Sequence, residues 1–589
     1  RNPPHGQSLE AGLAPAKPIQ NAVPLKGTGC NGILNGTYPR LCSGQIISKE
    51  ITLRRTQVLI VGAGPVGLTL AIDLGQQGIH CLLVDKKPGP EFLPKMERCN
   101  ARTMEIFRRM GLSTRIRAAG LRSDVSMDVF IVRSMCDEPW LRLDYPSVDD
   151  ARAQIAACED TSMPAESYQL ISQYTLEPLL REVAESLPTI EVIYGCEYEN
   201  LAQDAGGVTA TVHIAGQAQD IRADYVVGCD GGGSPVRRAL GISLTGEGNI
   251  ARMRQALYRC DDLFDRLPMG PGPGQGRHYH VADAASSFLI MQDSTRHWTL
   301  HAVVDSEATM AAQFEKVVGQ PIDYEMLYVG EWKQNLLLAD SYGTGRVFLA
   351  GDSAHLVIPT GGLGMNTGIG DAIDLSWKIA ASLQGWGGPA LLASYEVERR
   401  QVGDRNIGAS RYASTGRRKW RSLWRPELDS GGAEQDVARA EFVRVADEEQ
   451  RKTNEMIGAE LGYRYVGSPV IIEEPGGPEQ LFRTYDPTAW TGVRMPHAWV
   501  APDVSILDGF GRSYTVLNFG QDVSAGNAIT SALHDIGAPV QEEIIDDPRL
   551  RALYGRDLFL LRPDLHIAWR SNAAPNDPAQ LAAHVTGRA

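Results

Sequence analysis

Ten residues, Val58-Leu59-Ile60-Val61-Gly62-Ala63-Gly64-Pro65-Val66-Gly67, read as an apolar strand, a glycine turn and the first turn of a helix. The spacing of Gly62, Gly64 and Gly67 permits a tight turn, close backbone approach to a pyrophosphate and close packing of helix on strand. The helix continues to Gln77, and a second strand runs from His80 to Val84. Asp85 follows 18 residues after Gly67, where it can accept hydrogen bonds from ribose hydroxyls. This βαβ start predicts a doubly wound α/β sheet. Alone, the turn could hold any dinucleotide.

Two distant segments share its character. Val226-Val227-Gly228-Cys229-Asp230-Gly231 and Phe348-Leu349-Ala350-Gly351-Asp352-Ser353-Ala354-His355 are apolar runs that end in Gly/Asp turns. Short β-type runs lie between them, among them Arg277 to Ala282, Ser287 to Gln292 and His297 to Val304. They predict a mostly antiparallel sheet inserted into the dinucleotide fold. A helix over Asp371 to Leu383, a charged, partly helical stretch and a Pro/Gly segment from Glu473 to Pro478 follow, the last read as a linker.

At these separations the three segments resemble the fingerprints of the group A flavoprotein monooxygenases, the aromatic hydroxylases of the para-hydroxybenzoate and phenol hydroxylase type. The block from Gly492 to Arg570 looks like the thioredoxin-like C-terminal domain of the phenol hydroxylase and 3-(3-hydroxyphenyl)propionate hydroxylase branch. The resemblance implies an FAD-binding domain of the doubly wound GR2 type, an inserted substrate sheet and that C-terminal domain. The expected division is a leader or mis-assigned start over 1–50, the first part of the FAD domain over 51–250 with some substrate-domain segments, and the substrate sheet over 251–335. The second part of the FAD domain follows over 336–400, a helical region and linker over 401–485, and the thioredoxin-like domain over 486–589. All nine cysteines precede residue 261, so this last domain is expected to be structural or to make dimer contacts rather than to do dithiol chemistry.

The same resemblance assigns residues. Gly62, Gly64, Pro65, Val66 and Gly67 would meet the pyrophosphate, and Asp85 and Lys86 the ribose end. Lys95 and Arg102, in a stretch ending Arg102-Thr103-Met104-Glu105, would reach the FAD phosphates; Lys95 stands where arginine is usual and supplies a point charge rather than a planar fork. Gln173 would bond the flavin side, Asp230 would contact FAD and the incoming nicotinamide nucleotide, and Asp352 would bind the ribityl chain. Pro359, Gly362, Gly364, Met365 and Asn366 would wrap the isoalloxazine. A helix starting near Asn366 would direct its positive end at the reduced flavin. Glu97 aligns with an aspartate beside the phenol and, with Pro359, is given as catalytic; its alternative reading is an ion pair with Lys95 or Arg98. His355 reads as a structural hydrogen-bonding group. Tyr258, His280 and Trp298 are candidates for an aromatic substrate pocket, although alternation puts His278 and His280 on one strand face and Tyr279 on the other. There is no Cys/His spacing for a metal.

The formal charge of −14 argues against a nucleic-acid or anionic-membrane surface, so a phosphate-bearing cofactor needs local basic residues. No apolar run qualifies as a spanning helix, and the cysteines lack any CxxC pair. A cytoplasmic protein, forming a homodimer and acting on a small aromatic substrate, is the expectation. The leading function is an NADH- or NADPH- and O2-dependent FAD monooxygenase that hydroxylates a substituted phenol through a flavin C4a-hydroperoxide, in aromatic compound catabolism. The alternatives are polyketide tailoring or Baeyer–Villiger oxygenation on the same scaffold, and a non-catalytic flavin-binding redox module.

Overall fold

Runs such as Val58–Val61 and Leu82–Val84 have no polar face, and a strand of that kind needs cover on both sides. In the computed structural model, which describes residues 54–95, 98–268, 277–520 and 523–589, they lie in the middle of a parallel sheet. Its strands run in the order Val347–Leu349, Gln217–Gly228, Arg54–Val61, Cys81–Asp85, Ile190–Tyr194, all parallel neighbours. An antiparallel meander, Cys196–Asp204 and Gly207–Ile214, extends from the second of them. The helix Pro65–Gln76 packs between Gln173–Ser186 and Gly364–Leu383. The leader expected over 1–50 and Glu97 lie outside the described residues.

The second sheet is built on period-two alternation. Its eight strands run His355–Leu356, Glu325–Ala339, Leu244–Arg259, His297–Ala302, Phe288–Met291, His278–Val281, Val129–Val132 and Leu141–Leu143, antiparallel except for the pair His278–Val281 with Val129–Val132. Two of these strands come from the segment around 129–143 and one starts at Leu244, so the sheet reaches beyond 251–335. One face carries Tyr258, Tyr279, Leu289, Met291, Trp298 and Leu300, all fully buried with Met310 and Phe314 of the helix Ala308–Val318. The other face looks towards the parallel sheet.

The 33-residue helix Pro389–Arg421 connects the two sheets. Near its start the Tyr395 hydroxyl donates to the Leu349 carbonyl of the first sheet, and near its end Arg421 donates to carbonyls of Val281 and Ser287 in the second.

In the C-terminal region, Tyr514–Asn518 and Val540–Ile544 are parallel and joined through the helix Val523–Asp535. Leu558–Leu561 and Ile567–Ser571 add antiparallel to them, and the helix Pro578–Val585 follows. With the helix Pro548–Tyr554 between the second and third strands, this βαβαββα order is the thioredoxin-like arrangement. No helix among the described residues is long and apolar enough to cross a membrane.

Candidate active site

Where the parallel strands end, the three turns converge. Gly62 has a φ of +109°, and a Cβ there would lie 2.3 Å from the Cys229 carbonyl oxygen; a Cβ on Gly67 would lie 2.0 Å from the Gly62 carbonyl oxygen. Positions 62 and 67 are therefore open only to glycine, for the backbone reason the spacing suggests. The helix behind it begins at Pro65 and has no side-chain cap, so its first N–H groups are left for a ligand. Asp85 accepts from the Ala63 N–H at 2.8 Å and the Lys87 N–H at 2.9 Å, which ties the second strand to the turn and leaves further lone pairs on the carboxylate.

The second and third turns are bound to each other. Arg237 donates to the Gly232 carbonyl at 2.9 Å and to the Ser353 carbonyl at 2.8 Å. Asp230 Oδ2 accepts from the Val236 N–H at 3.0 Å, whereas its buried Oδ1 has no partner among the described residues. Burial pushes the Asp230 carboxyl up. Asp352, in the short turn Gly351–Ser353, has its carboxylate open to the cavity; its largely enclosed surroundings push its pKa up, against the opposing pull of His355 and Lys95. His355 is buried and bonds Asp371 at 2.7 Å, and Asp371 also accepts from Arg399 Nε at 2.8 Å and the Gly351 N–H at 3.0 Å. His355 thus stiffens the third turn. Burial pushes the Asp371 carboxyl up, but Arg399 and His355 outweigh it, and the net shift is downwards.

These turns open into one cavity of about 950 Å³ that continues to the exposed face of the second sheet. Gly62, Gly64, Pro65, Val66, Asp85, Lys86, Lys95, Gln173, Asp230, Asp352, Pro359, Gly362, Gly364, Met365 and Asn366 all line it, as does His280. Gly67 does not; it packs helix on strand. The loop before the helix Gly364–Leu383 bends through Gly361 and Gly362, at φ values of +94° and +66°, so the helix starts at the cavity wall, two residues before Asn366. The Asn366 amide donates to the carbonyls of Gly362 and Arg98 and accepts from the Asn100 N–H, so its side chain holds the loop.

Three assignments are corrected. Arg102 points away from the cavity: its guanidinium donates to the Asp564 carbonyl at 3.3 Å and lies 3.7 Å from Glu105, because it sits on the face of the helix Ala101–Arg109 that docks the C-terminal region. Arg98 lines the cavity in its place, donating to the Gly361 carbonyl at 3.1 Å and pairing with Glu460 at 3.0 Å. A run with several basic residues signals the site, but only the strand Arg98–Cys99 decides which side chain reaches it. Tyr258 and Trp298 are fully buried on the opposite sheet face. The Tyr258 hydroxyl donates to the Met310 carbonyl at 2.8 Å and its ring stacks on Phe314, so neither residue reaches the cavity. The aromatic wall is made instead by Phe288, His301, Tyr328 and Trp332; Phe288 stacks on His301 at 4.5 Å, and Trp332 Nε1 donates to His301 at 3.2 Å.

An uncapped helix N-terminus behind a glycine-only turn, a carboxylate at the end of the second strand, an unpartnered buried Asp230 oxygen and a cavity-facing Asp352 form a donor and acceptor set that fits FAD. The comparisons agree. Residues 55–410 match the family described as FAD binding domain, and residues 488–589 that described as aromatic-ring hydroxylase, C-terminal. The chain is 31% identical over 554 residues to the FAD-dependent monooxygenase apdD of Emericella nidulans, covering 88% of this chain and 87% of that one. It is 29% identical to the tetracenomycin A2 monooxygenase-dioxygenase of Streptomyces glaucescens, over 89% of this chain and 94% of that one. Among solved structures it is similar to RebC soaked with chromopyrrolic acid and holding 7-carboxy-K252c, with a TM-score of 0.84 and 32% identity over 91% of this chain and 100% of that one. By fold, turn chemistry and kinship together, the chain belongs to the FAD-dependent aromatic-ring hydroxylases, a family of flavoprotein monooxygenases.

Proposed function

We propose that this enzyme uses NADH or NADPH and O2 to hydroxylate a fused-ring hydroxyaromatic compound. The observation that carries this reading is the continuity of the cavity from the glycine turn to an aromatic-walled sheet face. The breadth of that wall, with Phe288, His301 and Trp332 edge to face and stacked, suits a polycyclic ring system. The tetracenomycin name of one relative and the bound 7-carboxy-K252c of one structural neighbour support the same class.

When bound, FAD supplies the hydride acceptance and oxygen activation. The chain's own residues orient and shield it. Asp85 and the Gly62–Gly67 turn would hold the nucleotide end, and Lys95 and Arg98 bring positive charge to the cavity of a chain that is acidic in sum. Asp352 would accept from the ribityl hydroxyls, and the backbone of the loop from Pro359 to Gly364, with the helix N-terminus that follows it, would hold the ring. Glu97, outside the described residues, is proposed to take the substrate hydroxyl proton.

The test uses purified FAD-loaded enzyme with NADH or NADPH, 18O2 and a panel of naphthols and hydroxyanthraquinones. A product heavier by one 18O, formed with stimulated nicotinamide oxidation, is expected; nicotinamide oxidation that yields only H2O2 with every compound would overturn the reading. Glu97→Gln is expected to slow hydroxylation by about 10- to 10,000-fold at pH 7, with partial recovery at pH 9 as the substrate ionises unaided.

A further inference from the structure

On the cavity face of the second sheet, the strand Leu244–Arg259 carries Gln255. Its side chain is 9% exposed and borders the cavity, and its amide makes no hydrogen bond among the described residues. Its polar neighbours on the paired strand have partners: Trp332 Nε1 donates to His301 at 3.2 Å, and Gln334 Nε2 donates to the Met253 sulfur at 3.3 Å. An enclosed amide left unmet costs free energy that a ligand's polar atom recovers.

Across the strand pair Gln255 faces Gly330, and that glycine makes room for a second polar group. A Cβ on Gly330 would lie 2.1 Å from the Tyr328 hydroxyl oxygen and 2.8 Å from the ring carbon that bears it, so the end of the Tyr328 side chain fills the space a side chain at 330 would take. Facing residues of an antiparallel pair hold their Cβ atoms about 4.5–5.5 Å apart, which sets this hydroxyl within reach of the same ligand atom as the Gln255 amide. Tyr328 is half-buried and borders the cavity, and its hydroxyl likewise makes no hydrogen bond among the described residues. Gln255 also pairs with His301, and His301 with Phe288, so the two polar groups end the row that carries the aromatic stack. Amide and phenol are both uncharged and both donate. A carbonyl oxygen, with two lone pairs, can accept from each.

We infer that Gln255 and Tyr328 form a receptor for a carbonyl oxygen of the substrate, a ring ketone or quinone, and set the fused rings in one register along the Phe288–His301 wall. This rests on the hydroxylase reading for the identity of the ligand, but its recognition chemistry is separate from the flavin's: two neutral hydrogen bonds to an uncharged oxygen. A ring system of the same shape without the carbonyl would leave both groups unmet.

The experiment titrates FAD-loaded enzyme with 2-hydroxyanthraquinone and with 2-hydroxyanthracene, which share the ring shape and the hydroxyl and differ in the carbonyls. The flavin absorbance change is read in the parent, Gln255→Met and Tyr328→Phe proteins. Each variant is expected to bind the quinone about 3- to 10-fold less tightly, the worth of a neutral hydrogen bond, with the hydroxyanthracene little changed. Equal losses for the two compounds, or no loss for either, overturn the inference and reduce the side chains to packing. Isotope-edited infrared spectra of the quinone bound to the parent need no variant, so a misfolded variant cannot protect the inference. A carbonyl band lowered from its position in an apolar solvent is expected, and an unshifted band overturns it. Selective loss without hydroxylation of either compound would sink the hydroxylase reading and leave the carbonyl receptor standing; coupled hydroxylation with no selective loss would do the reverse.

Discussion

At the residue scale, the site works by leaving selected polar atoms unsatisfied within the protein. Asp371, Asn366 and Arg237 spend their hydrogen bonds on neighbouring loops, whereas Asp230 Oδ1 is buried without a partner among the described residues and the exposed Asp352 borders the cavity. An open carboxylate such as that of Asp352 can exchange its water for a ligand's donors. Asp352→Ala is accordingly expected to weaken FAD binding by about 10- to 100-fold, the worth of charged hydrogen bonds. Flavin fluorescence on dilution measures it. Retention of FAD equal to the parent would show that Asp352 does not hold the cofactor.

At the scale of elements, the glycine turn is where backbone approaches backbone. A methyl group on Gly67 would overlap the Gly62 carbonyl oxygen at 2.0 Å, and that oxygen belongs to rigid main chain. Gly67→Ala should therefore force the helix Pro65–Gln76 off the strand Arg54–Val61, at a cost of about 3 kcal/mol or more. The expected result is a lower melting temperature and FAD loss together, read by calorimetry and absorbance. Gly64→Ala is the control for the melting temperature alone, since a Cβ there meets nothing in the protein closer than Glu177 Oε1 at 3.9 Å. If both variants melt alike, the close approach is not what makes glycine necessary at Gly67.

At the scale of the whole molecule, the C-terminal region is docked through buried charge. Arg562 is fully buried and pairs with Asp374, Glu398 and Asp564, and Lys378 joins Asp374 and Glu398, so both long helices behind the cavity meet the C-terminal sheet in one network. Losing one partner of such a network costs far more than the network contributes net. The same region carries a pH dependence. Burial brings His497 down to about 3, with Arg494 and Arg108 adding to the effect, and brings His566 down to about 4 against the opposing pull of Asp564. An unfolded histidine titrates near ~6.5, so between pH 6.5 and 4 the unfolded chain binds protons that the folded one does not. This contribution to stability is complete above about pH 6.5 and is lost as the pH falls, by about 2 kcal/mol per histidine from pH 7 to 5. In His497→Asn the loss over that interval should shrink by about 2 kcal/mol, measured by urea unfolding at the two pH values. An unchanged loss would place the titration elsewhere.

The three turns were legible in the sequence because a pyrophosphate-binding turn imposes glycine at set intervals, and buried parallel strands impose unbroken apolar runs; both constraints are local. The alternation that puts His280 on one face and Tyr279 on the other was legible for the same reason. Which of those faces borders the cavity was not, since Tyr258 and Trp298 become core only when the helix Ala308–Val318 covers them. Arg98 and Arg102 differ by one helix turn's worth of sequence, and the docking of Asp564, more than 460 positions away, decides that Arg102 faces the C-terminal region and Arg98 the cavity. The arginines at 417 and 421 read as part of a charged helix until that helix is laid across the second sheet. Backbone geometry repeats within a few residues and so is written in the chain, whereas the surroundings of a side chain depend on which distant segment packs against it, and only the tertiary structure supplies that.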